Sequence, residues 1–122
     1  MPTEPVVVLV VEDEPLLRLS ISAELEDEGF VVLEAGSADD AIRIIEQHPE
    51  VSLVFTDVDM PGMMDGIRLA GFVRDRWPPI KIIVTSGHRF PGAETLPKGS
   101  PFMPKPYISD EVVTMIRTML AV

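Results

Sequence analysis

The sequence of 122 residues contains no cysteine, so disulfide bonds and thiolate metal sites are excluded. No apolar run is long enough to cross a bilayer, and residues 1–5 carry neither a basic segment nor a long apolar stretch. We therefore expect no signal peptide and no membrane association. Only 10 residues are basic while 20 are acidic, which gives a net charge of −10. Because a phosphate backbone attracts clustered Lys and Arg, this balance argues against a nucleic-acid partner.

The length of the chain and its 46% of apolar residues predict one globular domain over residues 1–122. Short apolar runs that are typical of buried strands alternate with segments of helical periodicity. The predicted strands cover residues 6–11, 30–35, 51–57, 80–85 and 102–103. This alternation predicts an α/β fold with a doubly wound parallel sheet, in the flavodoxin-like strand order 2-1-3-4-5.

The segment between the fourth and fifth predicted strands is rich in helix breakers. It contains Pro91, Gly92, Pro97 and Gly99 and has little helical periodicity. The alternating pattern calls for a fourth helix there, but these residues permit only a short or irregular one. Prolines also flank the fifth strand, which predicts a position at the edge of the sheet.

Polar side chains follow the predicted strands at their carboxyl ends. They are Glu12 and Asp13 after the first strand, Asp57 and Asp59 after the third, Thr85 after the fourth and Lys105 after the fifth. Because parallel strands end at one edge of the sheet, where open α/β sheets bind ligands, these side chains should converge. Several carboxylates in one place repel one another unless a cation lies between them. Oxygen ligands without Cys or His favour Mg²⁺.

This set of residues suits phosphoryl transfer, which depends on positioning and charge neutralisation. Lys105 offers a compact positive charge to one phosphate oxygen, and the hydroxyl of Thr85 can donate to another. Asp57 would be the nucleophile. Taken alone, Asp57 would more ordinarily be a turn or capping acid, and its companions favour the chemical role.

Four short motifs occur in order, VVEDE at residues 10–14, TDVDMPG at 56–62, VTSG at 84–87 and KP at 105–106. Each follows its strand, and together they resemble the receiver domain of bacterial two-component response regulators, in its stand-alone, chemotaxis-regulator-like form. The resemblance spans essentially the whole chain. It implies a cytoplasmic switch that takes a phosphoryl group from a histidine kinase or histidine phosphotransfer protein and signals by protein contact. Apart from self-catalysed phosphoryl transfer and loss, it implies no enzyme.

The resemblance also implies roles for individual residues. Asp57 would accept the phosphoryl group, assisted by Thr85 and Lys105. Mg²⁺ would be bound by the carboxylates of Asp13 and Asp57 and the backbone carbonyl of Asp59, with support from Glu12. Thr85 would be the switch hydroxyl and Phe102 the switch aromatic. An apolar patch on the first helix, which faces away from the expected core, would dock the phosphodonor. It consists of Pro15, Leu16 and Leu19.

Two other functions fit parts of the sequence. A haloacid-dehalogenase-type small phosphatase has a similar order of apolar strand, Asp57-Val58-Asp59, Thr85 and Lys105. However, Met60-Pro61 replaces its small hydroxyl-bearing turn, and the acidic pair comes first instead of last. The other alternative is a receiver-like interaction module that is never phosphorylated, against which the intact acids, Thr85 and Lys105 argue.

Overall fold

The computed structural model describes residues 5–60, 62, 64–87 and 96–122, which form five strands and four helices. In chain order they are β1 Val7–Val11, α1 Pro15–Asp27, β2 Val31–Ala35, α2 Ala38–Gln47, β3 Val51–Asp57, α3 Gly66–Arg76, β4 Lys81–Ser86, β5 Phe102–Pro104 and α4 Ser109–Leu120. The short or irregular helix is predicted in the segment between β4 and β5, of which residues 88–95 lie outside the described residues, so it stays a prediction. Among the helices described, none has the length and apolar content needed to cross a membrane.

All strand pairs are parallel, and the sheet order is β2-β1-β3-β4-β5. This confirms the predicted flavodoxin-like topology. Among the described strands, the short strand β5 pairs with β4 alone and forms the sheet edge, as its flanking prolines predict. The order reverses beside β1, so the crevice at the carboxyl ends of β1 and β3 is the expected ligand position.

Both faces of the sheet are covered by helices, and alternate residues of one strand enter two separate cores. One core lies against α2 and α3 and includes Leu9, Val11, Leu69 and Val73. The other lies against α1 and α4 and includes Val8, Val10, Ile21 and Ile116. Every residue of β1 is buried, which explains why its sequence is a continuous apolar run.

Side-chain caps fix where α2 and α3 begin, at the same edge as the strand ends. Ser37 Oγ accepts a hydrogen bond from the backbone N of Asp40 at 3.2 Å and starts α2. Asp65 Oδ1 accepts one from the backbone N of Arg68 at 2.9 Å and starts α3. Pro15 is the first residue of α1, directly after the acids that follow β1.

Candidate functional site

The sheet brings together the acids that the sequence singled out. Glu12, Asp13 and Asp57 each present a carboxylate oxygen, and these oxygens all lie within 4.8 Å of one another. Asp57 and Glu12 are each only 4% exposed, whereas Asp13 is exposed. The predicted convergence of the acids at the β1 and β3 ends is therefore present, with two carboxylates buried and one reaching solvent.

Lys105 joins the two buried carboxylates. Its Nζ lies 3.0 Å from Glu12 Oε1 and 3.2 Å from Asp57 Oδ2. The backbone N of Lys105 donates to the carbonyl of Ser86 at 3.0 Å, which ties the residue to the end of β4. One cation is thus shared between two acids, at the place where the fifth strand ends.

The charge balance at this site is incomplete. Burial raises the pKa of Asp57 and of Glu12, and the nearby Lys105 does not fully offset that rise. Burial alone would lower the pKa of Lys105, but the hydrogen bond to Glu12 and the attraction of Asp57 raise it. Lysine therefore stays charged, while the two buried carboxylates would be further stabilised by a second cation.

The donor set fits Mg²⁺. Asp57 Oδ1 is buried and has no hydrogen-bond partner among the described residues. It belongs to a cluster of oxygen ligands from Glu12, Asp13 and Asp57, the kind that Mg²⁺ takes in proteins. The carboxylate of Asp59 is engaged elsewhere, because its Oδ2 accepts a hydrogen bond from Ser86 Oγ at 2.8 Å. The predicted role of the Asp59 backbone carbonyl as a metal ligand stays a prediction.

Thr85 lies beside Asp57 in the paired strands β3 and β4. Its side chain is buried, and its Oγ1 has no hydrogen-bond partner among the described residues. Its carbonyl accepts a hydrogen bond from the backbone N of Val58 at 2.9 Å, which holds the strand ends together. Phe102 pairs with Val84 and is partly buried against the core shared with α2 and α3. Burying a hydroxyl without a hydrogen-bond partner costs free energy, so a new acceptor beside Thr85 Oγ1 would stabilise the protein.

Gly66, at the start of α3, contributes to the site and was missed by sequence reasoning. A Cβ atom at this position would lie 2.0 Å from the carbonyl oxygen of Asp57. The backbone N of Gly66 donates to the carbonyl of Val58 at 3.0 Å. Only glycine permits α3 to begin this close to Asp57. A glycine at the first position of a helix was the available signal.

Two more residues near the acids carried no signal in the sequence. Arg18 Nη1, from α1, donates to the backbone carbonyl of Glu12 at 2.8 Å. Tyr107 packs edge-on against Phe55, with ring centroids 5.4 Å apart. Burial raises the pKa of Tyr107, and the charges of Glu12 and Asp57 raise it further. Arg18 comes four residues after the VVEDE motif and Tyr107 directly after the KP motif, and neither spacing in the sequence indicates a position near the acids. Only the fold brings the two residues there.

The apolar patch predicted on α1 is exposed. Leu16 is 77% exposed and Leu19 is 56% exposed, and Pro15 is exposed as well. Because α1 begins directly after the acidic turn, this patch lies next to the site.

Comparisons with known proteins identify the family. The model of the response regulator receiver domain matches residues 8–117. The chain is 38% identical over 117 residues to the sensor kinase CckA of Brucella abortus, covering 93% of this chain and 12% of that protein. It is 30% identical over 120 residues to the nitrogen assimilation regulatory protein NtrX of Azorhizobium caulinodans, covering 93% of this chain and 26% of that protein.

Among solved structures, a response regulator receiver protein from Sinorhizobium medicae aligns with a TM-score of 0.87 and 28% identity, over 98% of this chain and 97% of that chain. The chain thus spans a small fraction of the two curated relatives and nearly all of this structural one. Receiver domains generally bind Mg²⁺ and interact with histidine kinases or phosphotransfer proteins. With its parallel sheet and its acids gathered at the β1 and β3 ends, the chain belongs to the response regulator receiver domains, the phosphoacceptor switches of two-component signalling.

Proposed function

We propose that residues 1–122 form one receiver domain whose Asp57 takes a phosphoryl group from the phosphohistidine of a histidine kinase or phosphotransfer protein. The observation that carries the proposal is the setting of the Asp57 carboxylate. One oxygen lies 3.2 Å from Lys105 Nζ, and the other is buried without a hydrogen-bond partner among the described residues. A nucleophile needs such an available oxygen beside a fixed positive charge.

The chemical step requires little beyond positioning. An oxygen of Asp57 attacks phosphorus, the bond from phosphorus to the donor imidazole nitrogen breaks, and the imidazole leaves with its electron pair and takes up a proton. Lys105 neutralises negative charge on the transferring group. Thr85, buried beside Asp57, gains an acceptor for its hydroxyl. Asp13, Asp57 and the Asp59 carbonyl, supported by Glu12, would hold Mg²⁺, which neutralises phosphoryl charge when bound.

Acetyl phosphate with Mg²⁺ tests the assignment of Asp57. The intact mass of the protein should rise by one phosphoryl group, and Asp57→Asn should abolish the rise. Asp75→Asn, an exposed acid on α3, is the matched control and should leave the rise unchanged. Modification that persists at another residue in the Asp57→Asn variant would refute the assignment.

The exposed patch of Pro15, Leu16 and Leu19 is proposed as the docking surface for the phosphodonor, because it is apolar and adjoins the site. Leu16→Asp should slow phosphoryl transfer from a protein donor and leave transfer from acetyl phosphate unchanged. Val122→Asp provides the control, since Val122 is 63% exposed and follows the far end of α4. Equal slowing with both donors would indicate a defect in the site instead of a docking surface.

Thr85 and Phe102 are proposed to carry the response to phosphorylation. Rotation of the Thr85 hydroxyl toward a phosphoryl oxygen would open space beside β5, and the partly buried ring of Phe102 would move to fill it. The connection that would follow, from Ser86 to Phe102, includes residues 88–95 outside the described residues. A two-state shift of this kind needs only a difference in contacts between the two arrangements.

Signalling by protein contact, without turnover of a separate substrate, is the remaining part of the proposal. The receiver-family match over residues 8–117 supports it over a haloacid-dehalogenase-type phosphatase. The assembled acids, Thr85 and Lys105 support phosphorylation over a passive interaction module. Multiple turnovers of a small phosphate ester such as p-nitrophenyl phosphate, abolished by Asp57→Asn, would contradict it.

A further inference from the structure

Arg18 makes two directed contacts from the first turns of α1. Its Nη1 donates to the backbone carbonyl of Glu12 at 2.8 Å, and its Nε donates to Glu34 Oε1 at 3.1 Å. Its side chain is 23% exposed, and that of Glu34 is 36% exposed. The planar guanidinium therefore links the acidic turn after β1 to the end of β2, using two nitrogens at a fixed separation.

The turn that Arg18 contacts is held from several directions. The backbone N of Glu12 donates to the carbonyl of Ala35 at 3.0 Å, and the backbone N of Glu14 donates to Glu12 Oε2 at 3.1 Å. Gly36 leaves room for the guanidinium, because a Cβ atom at Gly36 would lie 3.3 Å from Arg18 Nη1. The arrangement fixes both the peptide and the carboxylate of Glu12.

Such fixing is needed because the acids repel one another. The carboxylates of Glu12, Asp13 and Asp57 lie together, and a turn free to move would separate them. We infer that Arg18 is a positioning residue, an inference that rests on the proposed function. Arg18 holds the turn of Glu12 and Asp13 toward Asp57 and thereby sets the affinity for Mg²⁺. Arg18 itself would not touch the metal or the phosphoryl group.

Two effects of removing Arg18 have opposite signs. Loss of a positive charge near the acids would by itself strengthen the binding of a divalent cation. Loss of positioning would weaken it, because the carboxylates would have to be brought together at the moment of binding. The direction of the change in Mg²⁺ affinity therefore separates positioning from a simple charge effect, which a thermal-stability measurement alone would not do.

Titration calorimetry with MgCl₂ alone tests the inference, with folding checked by circular dichroism. Arg18→Met should raise the dissociation constant about tenfold. Arg18→Lys keeps the charge but offers one nitrogen in place of the fork, so it should recover only part of the affinity. The control is Arg43→Met, because Arg43 is 68% exposed on α2 and pairs with Asp40. It loses the same charge without touching the turn and should bind Mg²⁺ as tightly as the unaltered protein, or slightly more tightly.

Binding by Arg18→Met as tight as that of Arg43→Met would overturn the inference, as would an unaltered protein that does not bind Mg²⁺. Should Arg18→Met fail to fold, Arg18→Lys decides, and an unchanged dissociation constant in that variant would refute the role. The proposed function is tested separately by acetyl phosphate. A protein that binds Mg²⁺ through an Arg18-dependent turn but is not modified at Asp57 would contradict the proposed function and leave the inference standing.

Discussion

The two sides of the site differ in how firmly their side chains are held. On the acid side, at the ends of β1 and β3, Glu12 is contacted by Lys105 at 3.0 Å and its carbonyl by Arg18 at 2.8 Å. On the hydroxyl side, at the end of β4, Thr85 Oγ1 is buried and has no hydrogen-bond partner among the described residues. The carboxylates of the acid side are already arranged for a cation, whereas the Thr85 hydroxyl can still form a hydrogen bond.

From this contrast we expect the acid side to bind the cation and the hydroxyl side to respond to phosphorylation. Charge-assisted hydrogen bonds are strong and hold the acids in one geometry before any ligand arrives. An unsatisfied hydroxyl is costly and is relieved when an acceptor appears beside it. The hydrogen bond from Ser86 Oγ to Asp59 Oδ2 at 2.8 Å connects the two sides. Because Asp57 pairs with Thr85 across β3 and β4, we expect a change at Asp57 to affect the end of β4.

The largest expected effect on the acid side comes from changing Asp13, its exposed acid. Asp13→Asn should weaken Mg²⁺ binding by roughly 100-fold, since even the loss of an outer-shell partner costs up to about that factor. Asp59→Ala should cost clearly less, because its carboxylate bonds to Ser86 and the variant keeps the backbone carbonyl. Calorimetry with MgCl₂ measures both, and equal losses in the two variants would contradict this division of roles.

The close approach of α3 to Asp57 can be tested with two glycines of the same helix. Gly66→Ala should lower the free energy of unfolding by about 2 kcal/mol, because its Cβ atom would collide with the Asp57 carbonyl. Gly71→Ala is the control. Apart from the backbone of its own helix, no atom of the described residues lies within 4 Å of the added Cβ, so Gly71→Ala should raise the free energy of unfolding by about 0.5–1 kcal/mol. Urea denaturation gives both values, and stabilisation by Gly66→Ala would show that the helix start is not tightly placed.

The incomplete charge balance of the acid side predicts a pH dependence of stability without Mg²⁺. Burial raises the pKa of Asp57 and Glu12 in the folded state. As pH rises above about 4, the two carboxyl groups therefore lose their protons in the unfolded chain before they do so in the folded protein. The free energy of unfolding should therefore fall as pH rises through the raised pKa values of the folded state.

Replacing the charged group should remove part of that fall. Asp57→Asn should raise the free energy of unfolding at pH 7 and flatten its pH dependence, because the variant has no buried carboxylate to ionise at this position. Added Mg²⁺ should stabilise the unaltered protein more than the variant. Urea denaturation at several pH values, with and without MgCl₂, measures these effects. Lower stability of Asp57→Asn at pH 7 would mean that Lys105 already balances the acids.

The smallest expected effect on the free energy of unfolding concerns two buried threonines beside Asp57, which are Thr56 and Thr85. Thr56 Oγ1 donates to the carbonyl of Asp57 at 2.9 Å, so Thr56→Val should lower the free energy of unfolding by about 0.5–1 kcal/mol. Thr85→Val removes a hydroxyl without a partner among the described residues and should cost nothing or stabilise slightly. After phosphorylation the order should change, because only Thr85→Val loses a bond to the phosphoryl group. Destabilisation of the unmodified protein by Thr85→Val would show that its hydroxyl is already bonded.

Much of this could be predicted before any coordinates. The strand ends follow from buried apolar runs that stop at acids, and parallel strands must end at a common edge, so Asp13, Asp57 and Thr85 were placed correctly. The exposure of Leu16 and Leu19 follows from helical periodicity. The contact of Arg18 with Glu12 and the close approach of Gly66 to Asp57 were not predicted, because the spacing of these residues in the sequence carries no pattern.

The sequence by itself determined the alternation of strands and helices, the sheet order and the identity of the acids, because these depend on local periodicity and on the rules of parallel sheets. Only the tertiary structure decided that Lys105 is shared between Asp57 and Glu12. Glu12 lies 93 residues before Lys105 in the sequence. The tertiary structure alone also decided that Arg18 holds the Glu12 carbonyl and that the Asp59 carboxylate turns to Ser86. A shift of about an ångström between separate elements would break contacts of this kind, and packing sets those positions whereas sequence spacing does not.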